Sequence, residues 1–373
     1  MTIKTDLLII GSGPMSLVEA KVNVLKGRSV HLLEASNKLG GAWGTSECFG
    51  VPNIETSPHV FMPDRKANAV MQKFLPGEFE DLDPQPKLLI RSSKTFGDFR
   101  LMDMRDRYNE AFTLAVISHY ENKKKNHFMR VWDTAISTKN TCLYRRKNGQ
   151  TVNLTYPKTG LQDWLNGIEV DLTAHGVNLI KNARVDVIEK KGKVITVRAA
   201  DGQDYQCKEI CYTEQTSLKK LIIDGEEIPL SYEDDSSDHL LFVVDGKFDS
   251  PKPLGFWRLM KDSYLMFIND ITHYSPEFRA KYPGKRLINT RVSAYRSFTP
   301  KKIKTFFSHI AYVGYMEKDV KMLDWHHKYL VRRKMTYAMR YRVKKLLGPS
   351  GYELVSGTVG LANGLRNSYG KYL

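Results

Sequence analysis

Hydrophobic and polar positions set out the N-terminal part of this chain most clearly. A short apolar run, Leu7–Ile10, stops at Gly11, which is the length and ending of a buried parallel strand. A helical pattern follows over about residues 15–26. A second apolar run, Val30–Leu33, ends in Glu34. This is a strand–turn–helix–strand unit, with Gly11 and Gly13 at its tight turn.

Farther along, helical spacing appears at Ala67–Phe74 and Arg105–Tyr120, and a strand-like run at Lys87–Arg91. Leu161, Trp164, Leu165 and Ile168 form a stripe on a helix that the pattern opens near Tyr156 and carries to about Ala174. Residues 176–180, 184–188, 194–199 and 205–212 read as strands, with a hairpin turn at Lys191-Gly192-Lys193. Leu240–Val244, Tyr264–Ile268 and Arg286–Val292 read as antiparallel strands, with aromatics at Phe256, Trp257, Tyr264, Phe267 and Tyr274. Such a cluster reads as plain core or as the wall of a cavity. Residues 302–316 and 322–346 read as helical.

Composition adds bounds. The 373 residues suffice for two domains with real cores. No apolar run reaches the roughly 18 residues of a membrane helix, and the N-terminal run lacks the form of a signal peptide. The four cysteines show no zinc spacing. Cys207 and Cys211 are expected to share one face of a strand, too far apart to bridge. Reduced cysteines point to a cytoplasmic setting, with membrane association as the variant. The net charge of +16 points to an anionic partner or to a solvated basic surface. The basic stretch 328–345, interleaved with Tyr, Leu, Met and Val, reads as a solvated face, a membrane-surface helix or an anionic dock. No zinc finger, RNA-binding sheet motif or helix-turn-helix is present, so nucleic acid is not expected. Hydrolase and kinase motifs are absent.

The glycine turn carries candidate chemistry. Gly11 permits the turn, and Gly13 lets a pyrophosphate approach the backbone at a helix N-terminus. Ser16 stands where a third glycine is usual. Glu34 lies 21 residues after Gly13, near the spacing of a carboxylate that accepts ribose hydroxyls.

Gly11-Ser12-Gly13, Glu34 and Leu39-Gly40-Gly41-Ala42-Trp43 together resemble the FAD-binding superfamily of flavin amine oxidases, protoporphyrinogen oxidases, phytoene desaturases and UDP-galactopyranose mutase. The resemblance extends over Tyr156–Leu218 and the glycine-rich end, Ser356–Asn363. Ser356-Gly357 stands where many relatives carry Gly-Asp. It implies an α/β fold: a Rossmann-type FAD-binding domain, a parallel sheet with helices, from 1–62, 151–216 and 346–373. A mixed α+β substrate domain is inserted as 63–150 and 217–345.

It also implies FAD as the cofactor, held by Gly11, Gly13, Pro14, Met15, Ser16, Glu34, Ala35, Gly40, Gly41, Ala42 and Trp43. Val185 would hold adenine by its backbone. Thr213, Gly357, Gly360, Leu361 and Asn363 would close the site. His59 matches a histidine near the flavin and is the first candidate base, ahead of Tyr156 and Lys158. The implied function is oxidation of a C–H next to N or O, on a small-molecule or carrier-linked anionic substrate. Two alternatives stand beside it. One is a non-redox mutase on a nucleotide sugar, with Arg286, Arg291 and Arg296 for the diphosphate. The other is a flavin-free binding protein like the Rab GDP-dissociation inhibitors.

Overall fold

The computed structural model describes residues 2–57, 59, 65–82, 87–91, 99–103, 154–213, 215–246, 254–259, 264–293, 299–310, 320–354, 364–365 and 368–373. The expected helix at 105–120 and the glycine-rich turn with Gly357, Gly360, Leu361 and Asn363 lie outside the described residues.

β1 (Ile3–Ile10) leads through the glycine turn into α1 (Pro14–Val24) and back to β2 (Val30–Leu33). The two strands run parallel, from Leu7 opposite Val30 to Ile10 opposite Leu33. Leu7, Leu8 and Ile9 have no exposed surface, because β1 is covered on both faces and flanked on both edges. Each such side chain contributes about 1.5–3 kcal/mol of burial free energy. α1 is buried all round, from Pro14 to Asn23. Its charges are met inside the protein. Lys21 donates to Asp171 at 2.6 Å, and Glu19 accepts from Asn23 and from the hydroxyl of Tyr352, each at 2.6 Å.

β3 (Thr45–Cys48) and β4 (Val51–Glu55) form a hairpin, followed by α2 (Arg65–Phe74). Next come β5 (Phe79–Leu82), β6 (Lys87–Arg91), β7 (Phe99–Asp103) and β8 (Leu154–Pro157). β5 pairs with β8, and β6 with β7, all antiparallel. Tyr156 therefore belongs to a strand, and α3 (Leu161–Ala174) begins only after Gly160, whose φ of +86° suits the turn. β9 (Val177–Ile180), β10 (Val185–Lys191), β11 (Val194–Ala199), β12 (Asp204–Thr213), β13 (Lys220–Ile223) and β14 (Glu226–Glu227) follow.

The chain then builds β15 (Tyr232–Asp245), β16 (Leu254–Leu259), β17 (Tyr264–Asp270), α4 (Pro276–Lys281), β18 (Arg286–Ser293), α5 (Pro300–Ile310) and β19 (Lys321–Met335). α6 (Tyr337–Leu347) and β20 (Gly351–Leu354) return to the first sheet. Among the described residues that sheet has nine strands, in the order β14-β13-β10-β11-β12-β1-β2-β9, with β20 also on β12. The second has five antiparallel strands among the described residues, in the order β16-β17-β18-β15-β19. The first sheet thus runs on past residue 216, to Glu227, and takes α6 against it.

Two further expectations are corrected. Residues 322–346 are not one helix. They are a fifteen-residue strand, β19, then α6. β19 lies along β15, and the register sets Lys334, Arg333 and Arg332 opposite Glu233, Asp234 and Asp235. Opposite charges facing across strands favour the ladder, and Trp325, Tyr329 and Val331 suit a pleated surface. Thr336 then caps α6, its hydroxyl accepting the Met339 N–H at 3.3 Å. Nor do the cysteines share a face. Cys207 packs with Tyr205 and Ile210, whereas Cys211 packs with Leu7 and Ile9. The alternation of β12 changes parity between Cys207 and Ile210.

Candidate functional site

The site is set by register. Because Ile10 stands opposite Leu33, Gly11 comes level with Glu34 and its N–H donates to the Leu33 carbonyl at 2.8 Å. Gly11 has φ +88°, a conformation that a residue with a Cβ adopts at a cost. The C-terminal ends of the parallel strands β1, β2, β12 and β20 therefore gather Gly11, Glu34, Thr213 and Leu354 along one edge. Ligands of open α/β sheets bind at such an edge.

Glu34 is buried and holds the turn. Its Oε2 accepts the Ser12 N–H at 3.0 Å and the Ser12 hydroxyl at 2.6 Å, and its Oε1 accepts the Ser36 N–H at 2.9 Å. Ser12 in turn takes the Gly40 N–H on its Oγ at 3.0 Å. Glu34, Ser12 and the Gly40-Gly41 loop are thus one hydrogen-bonded unit. Sequence reasoning passed over Ser12 and Ser36, whose type is common in any turn. Ala35 and Ala42 are exposed beside this unit. Val185, at the start of β10, joins Ile10 and Leu33 in one apolar cluster. The preceding Ala183 N–H donates to the Glu34 carbonyl at 2.8 Å.

The geometry can be tested against a bound dinucleotide. A Cβ on Gly11 or Gly13 would meet nothing within 4 Å, so the turn borders open space. A Cβ on Gly41 would sit 3.4 Å from the Gly13 nitrogen, which places the second glycine loop directly over the first. α1 starts at Pro14 with no side-chain cap and no acidic residue in its first turn. Met15 and Ser16 complete that turn, and the buried Ser16 hydroxyl has no hydrogen-bond partner among the described residues. An uncapped N-terminus without acid is suited to an anion. The residues fit the diphosphate part of a dinucleotide.

A second cluster lies beyond Trp43. The Trp43 ring is 5.0 Å from His59 and 6.4 Å from Trp164. His59 is held by Glu55, whose Oε1 accepts its backbone N–H at 2.7 Å and stands 3.1 Å from Nδ1. The other oxygen of Glu55 accepts the Tyr156 hydroxyl. The Tyr156 ring packs at a tilt against Tyr274, with centroids 4.4 Å apart, and the Tyr274 hydroxyl donates to Glu80. Burial, then the Glu55 charge, hold the Tyr156 phenol well above its usual range, so it stays a donor. Asn289 closes the group by donating to the Glu55 carbonyl at 3.1 Å.

Structure thus brings His59 and Tyr156 together but leaves Lys158 out. Lys158 is exposed and paired with Glu78 at 2.9 Å, and that pair raises its pKa. Two residues after the inward Tyr156, the chain has left β8 and turned to solvent. Glu55 was missed in the sequence. Its signal was an acid ending an apolar strand four residues before a histidine. Arg286 is engaged by Asp270 at 3.1 Å, and Arg296 lies outside the described residues.

Fold and site define an α/β protein with a Rossmann-type strand–turn–helix–strand unit at its N-terminal end. A family model of the NAD(P)-binding Rossmann-like domain matches residues 9–74. No curated protein matches the chain. Among solved structures, Rab GDI from Plasmodium falciparum superposes with a TM-score of 0.62 at 11% identity, over 99% of each chain. Putrescine oxidase bound to putrescine gives 0.61 at 14% identity, over 100% of this chain and 99% of that one. A candidate protoporphyrinogen oxidase from Exiguobacterium sp. 255-15 gives 0.58 at 12% identity, over 100% of both chains. The chain has the fold that these proteins share.

Proposed function

We propose that this protein is an FAD-dependent oxidoreductase that oxidises a C–H next to nitrogen or oxygen, on an anionic or carrier-linked substrate. One observation carries the reading. The glycine turn, the uncapped start of α1, Glu34 and the Gly40-Gly41 loop form one open-sided cradle, and Trp43 extends it to a buried histidine. A family model of dinucleotide-binding domains and the fold of putrescine oxidase support it.

In this reading the α1 N-terminus and Gly13 take the diphosphate, Glu34 the ribose, and Val185 the adenine. Bound FAD would supply a two-electron acceptor for hydride. The chain's own residues orient and shield. Trp43 and the buried aromatics exclude water. Glu55 fixes the His59 ring, because a carboxylate beside Nδ1 calls for a hydrogen there. In the tautomer that carries this hydrogen on Nδ1, Nε2 would be left as an acceptor for a substrate proton.

The absorption spectrum of the purified protein tests this. A flavin spectrum that bleaches on anaerobic photoreduction is expected. A colourless protein that takes up no flavin would favour the second reading, a flavin-free binding protein, to which the likeness with Rab GDI gives its weight.

A further inference from the structure

The excess of positive charge is unevenly engaged. Along β19 three cations have partners. Lys334 lies 3.6 Å from Glu233, the Arg333 guanidinium sits 4.5 Å over the Tyr232 ring, and Lys328 bonds Ser46 at 3.1 Å. α6 differs. Arg340 turns inward to Glu353, but Arg342, Lys344 and Lys345 are exposed and form no ion pair among the described residues. The helix contains no acidic residue. On the same outer side Tyr337 and Tyr341, one turn apart, are 80% and 67% exposed.

The opposite side of α6 explains its orientation. Met339, Val343 and Leu347 are buried in one cluster with Ile188, Ile195, Val197 and Tyr212 of the nine-stranded sheet. Contact along the full length lays the helix flat on the sheet. α1 and α3 pack in the other cluster, on the far side. The Lys190–Leu346 bond, at 2.9 Å, brings the β10–β11 hairpin beside the last turn of α6, adding exposed Lys191 and Lys193. Three acids adjoin the hairpin on the β13–β14 turn: Asp224, which accepts the Gly192 N–H at 2.8 Å, exposed Glu226, and Glu227, 3.3 Å from Lys220.

We propose that the outer face of α6 docks the protein on an acidic bilayer surface. Tyr337 and Tyr341 would enter the headgroup layer, and Arg342, Lys344 and Lys345 would meet lipid phosphates and carboxylates. Tyrosine has an apolar ring and a wet tip, which suits that layer, and cations flanking it add electrostatic attraction. A flat helix presents a plane rather than an end. With two exposed tyrosines among its cations, that plane suits a headgroup layer. The inference does not depend on the cofactor.

Sedimentation of the full chain with phosphatidylcholine vesicles, with and without phosphatidylserine, tests it. Binding is expected only with phosphatidylserine and is expected to fall as salt rises. The variant R342Q/K344Q/K345Q should bind roughly a hundredfold more weakly, at about fivefold per cation removed. Because that variant changes only exposed side chains, its melting curve should match the parent. A second variant, Tyr341→Trp, keeps every cation, and its fluorescence should shift further to the blue than the parent's on adding acidic vesicles. The proposal is overturned by a parent protein that ignores acidic vesicles, or by a triple variant that binds as the parent does. Tighter binding to duplex DNA than to vesicles overturns it as well, as does a Tyr341→Trp protein that binds vesicles with no added shift.

Discussion

Glu55 and His59 are tied together twice: one oxygen of Glu55 takes the backbone N–H of His59 at 2.7 Å and lies 3.1 Å from Nδ1 of its ring. The other oxygen serves Tyr156, which is 1% exposed. Glu55→Ala would leave several buried donors without an acceptor, at about 1–3 kcal/mol each. A loss of at least about 2 kcal/mol is expected in urea denaturation. Tyr156→Phe removes one hydrogen bond to a charged acceptor and should cost about 1.5–3 kcal/mol. A Glu55→Ala protein as stable as the parent would show that the cluster is not organised around this carboxylate.

Gly13 separates folding from ligand binding. Its φ is −63°, and a Cβ there meets nothing within 4 Å, so Gly13→Ala should fold normally. Gly13→Asp should fold too, yet abolish flavin uptake, because its carboxylate would occupy the anion position at the start of α1. Gly11→Ala should instead lose stability by about 1–2 kcal/mol, the cost of a left-handed backbone for an L-residue. Melting curves and flavin titrations of the three variants check this. Full flavin affinity in Gly13→Asp would place the cofactor elsewhere.

Glu34 serves the turn as well as any ribose. Glu34→Ala should weaken flavin binding by about 1.5–3 kcal/mol, the range for hydrogen bonds to a charged group. It should also lower the stability of the flavin-free protein, because Ser12 and Ser36 lose their acceptor. Isothermal titration together with denaturation distinguishes the two effects. Lost stability with unchanged affinity would make Glu34 a structural residue only.

The facing charges of β15 and β19 should make the second sheet sensitive to salt. Asp234→Lys puts like charges opposite at Arg333 and should cost about 0.5–1 kcal/mol, less at high salt. Thermal melts at low and high ionic strength would reveal it. An equal loss at both would mean that packing, not charge, is disturbed.

Buried phenols and thiols predict the alkaline limit. Burial raises the pKa of Tyr156, Tyr212, Tyr352 and Tyr369. Each contributes stability that is complete below the ordinary tyrosine value of about 10 and is lost as pH rises through the higher folded value. Stability should therefore be flat with respect to these groups at neutral pH and fall above about pH 10. Burial also pushes the Cys207 thiol up to about 12, and raises those of Cys48 and Cys211. Mass spectrometry after maleimide labelling at neutral pH should find these three unmodified until the protein unfolds. Labelling of Cys207 in the native protein would contradict its burial.

Much of the nucleotide-type half was legible in the chain. Leu7–Ile10, the Gly11–Gly13 turn, α1 and Val30–Leu33 lie within one local unit, where apolar runs and glycine stops act over a few residues. Hairpins such as Val185–Lys191 with Val194–Ala199 were equally local. What failed depended on distant partners. Residues 321–335 carry a pattern compatible with a helix, and it is the acidic strand 232–245, far upstream, that draws them into a sheet. Glu55, His59, Tyr156 and Asn289 meet only when separate segments fold together, so no local spacing marks them as a group. The sequence by itself determined the turn, the strands and the helix, because these rest on backbone conformation and on burial along a single element. Only the tertiary structure decided which charges face acids, which face solvent, and which buried carboxylate holds the histidine, because those interactions join residues that the chain keeps far apart.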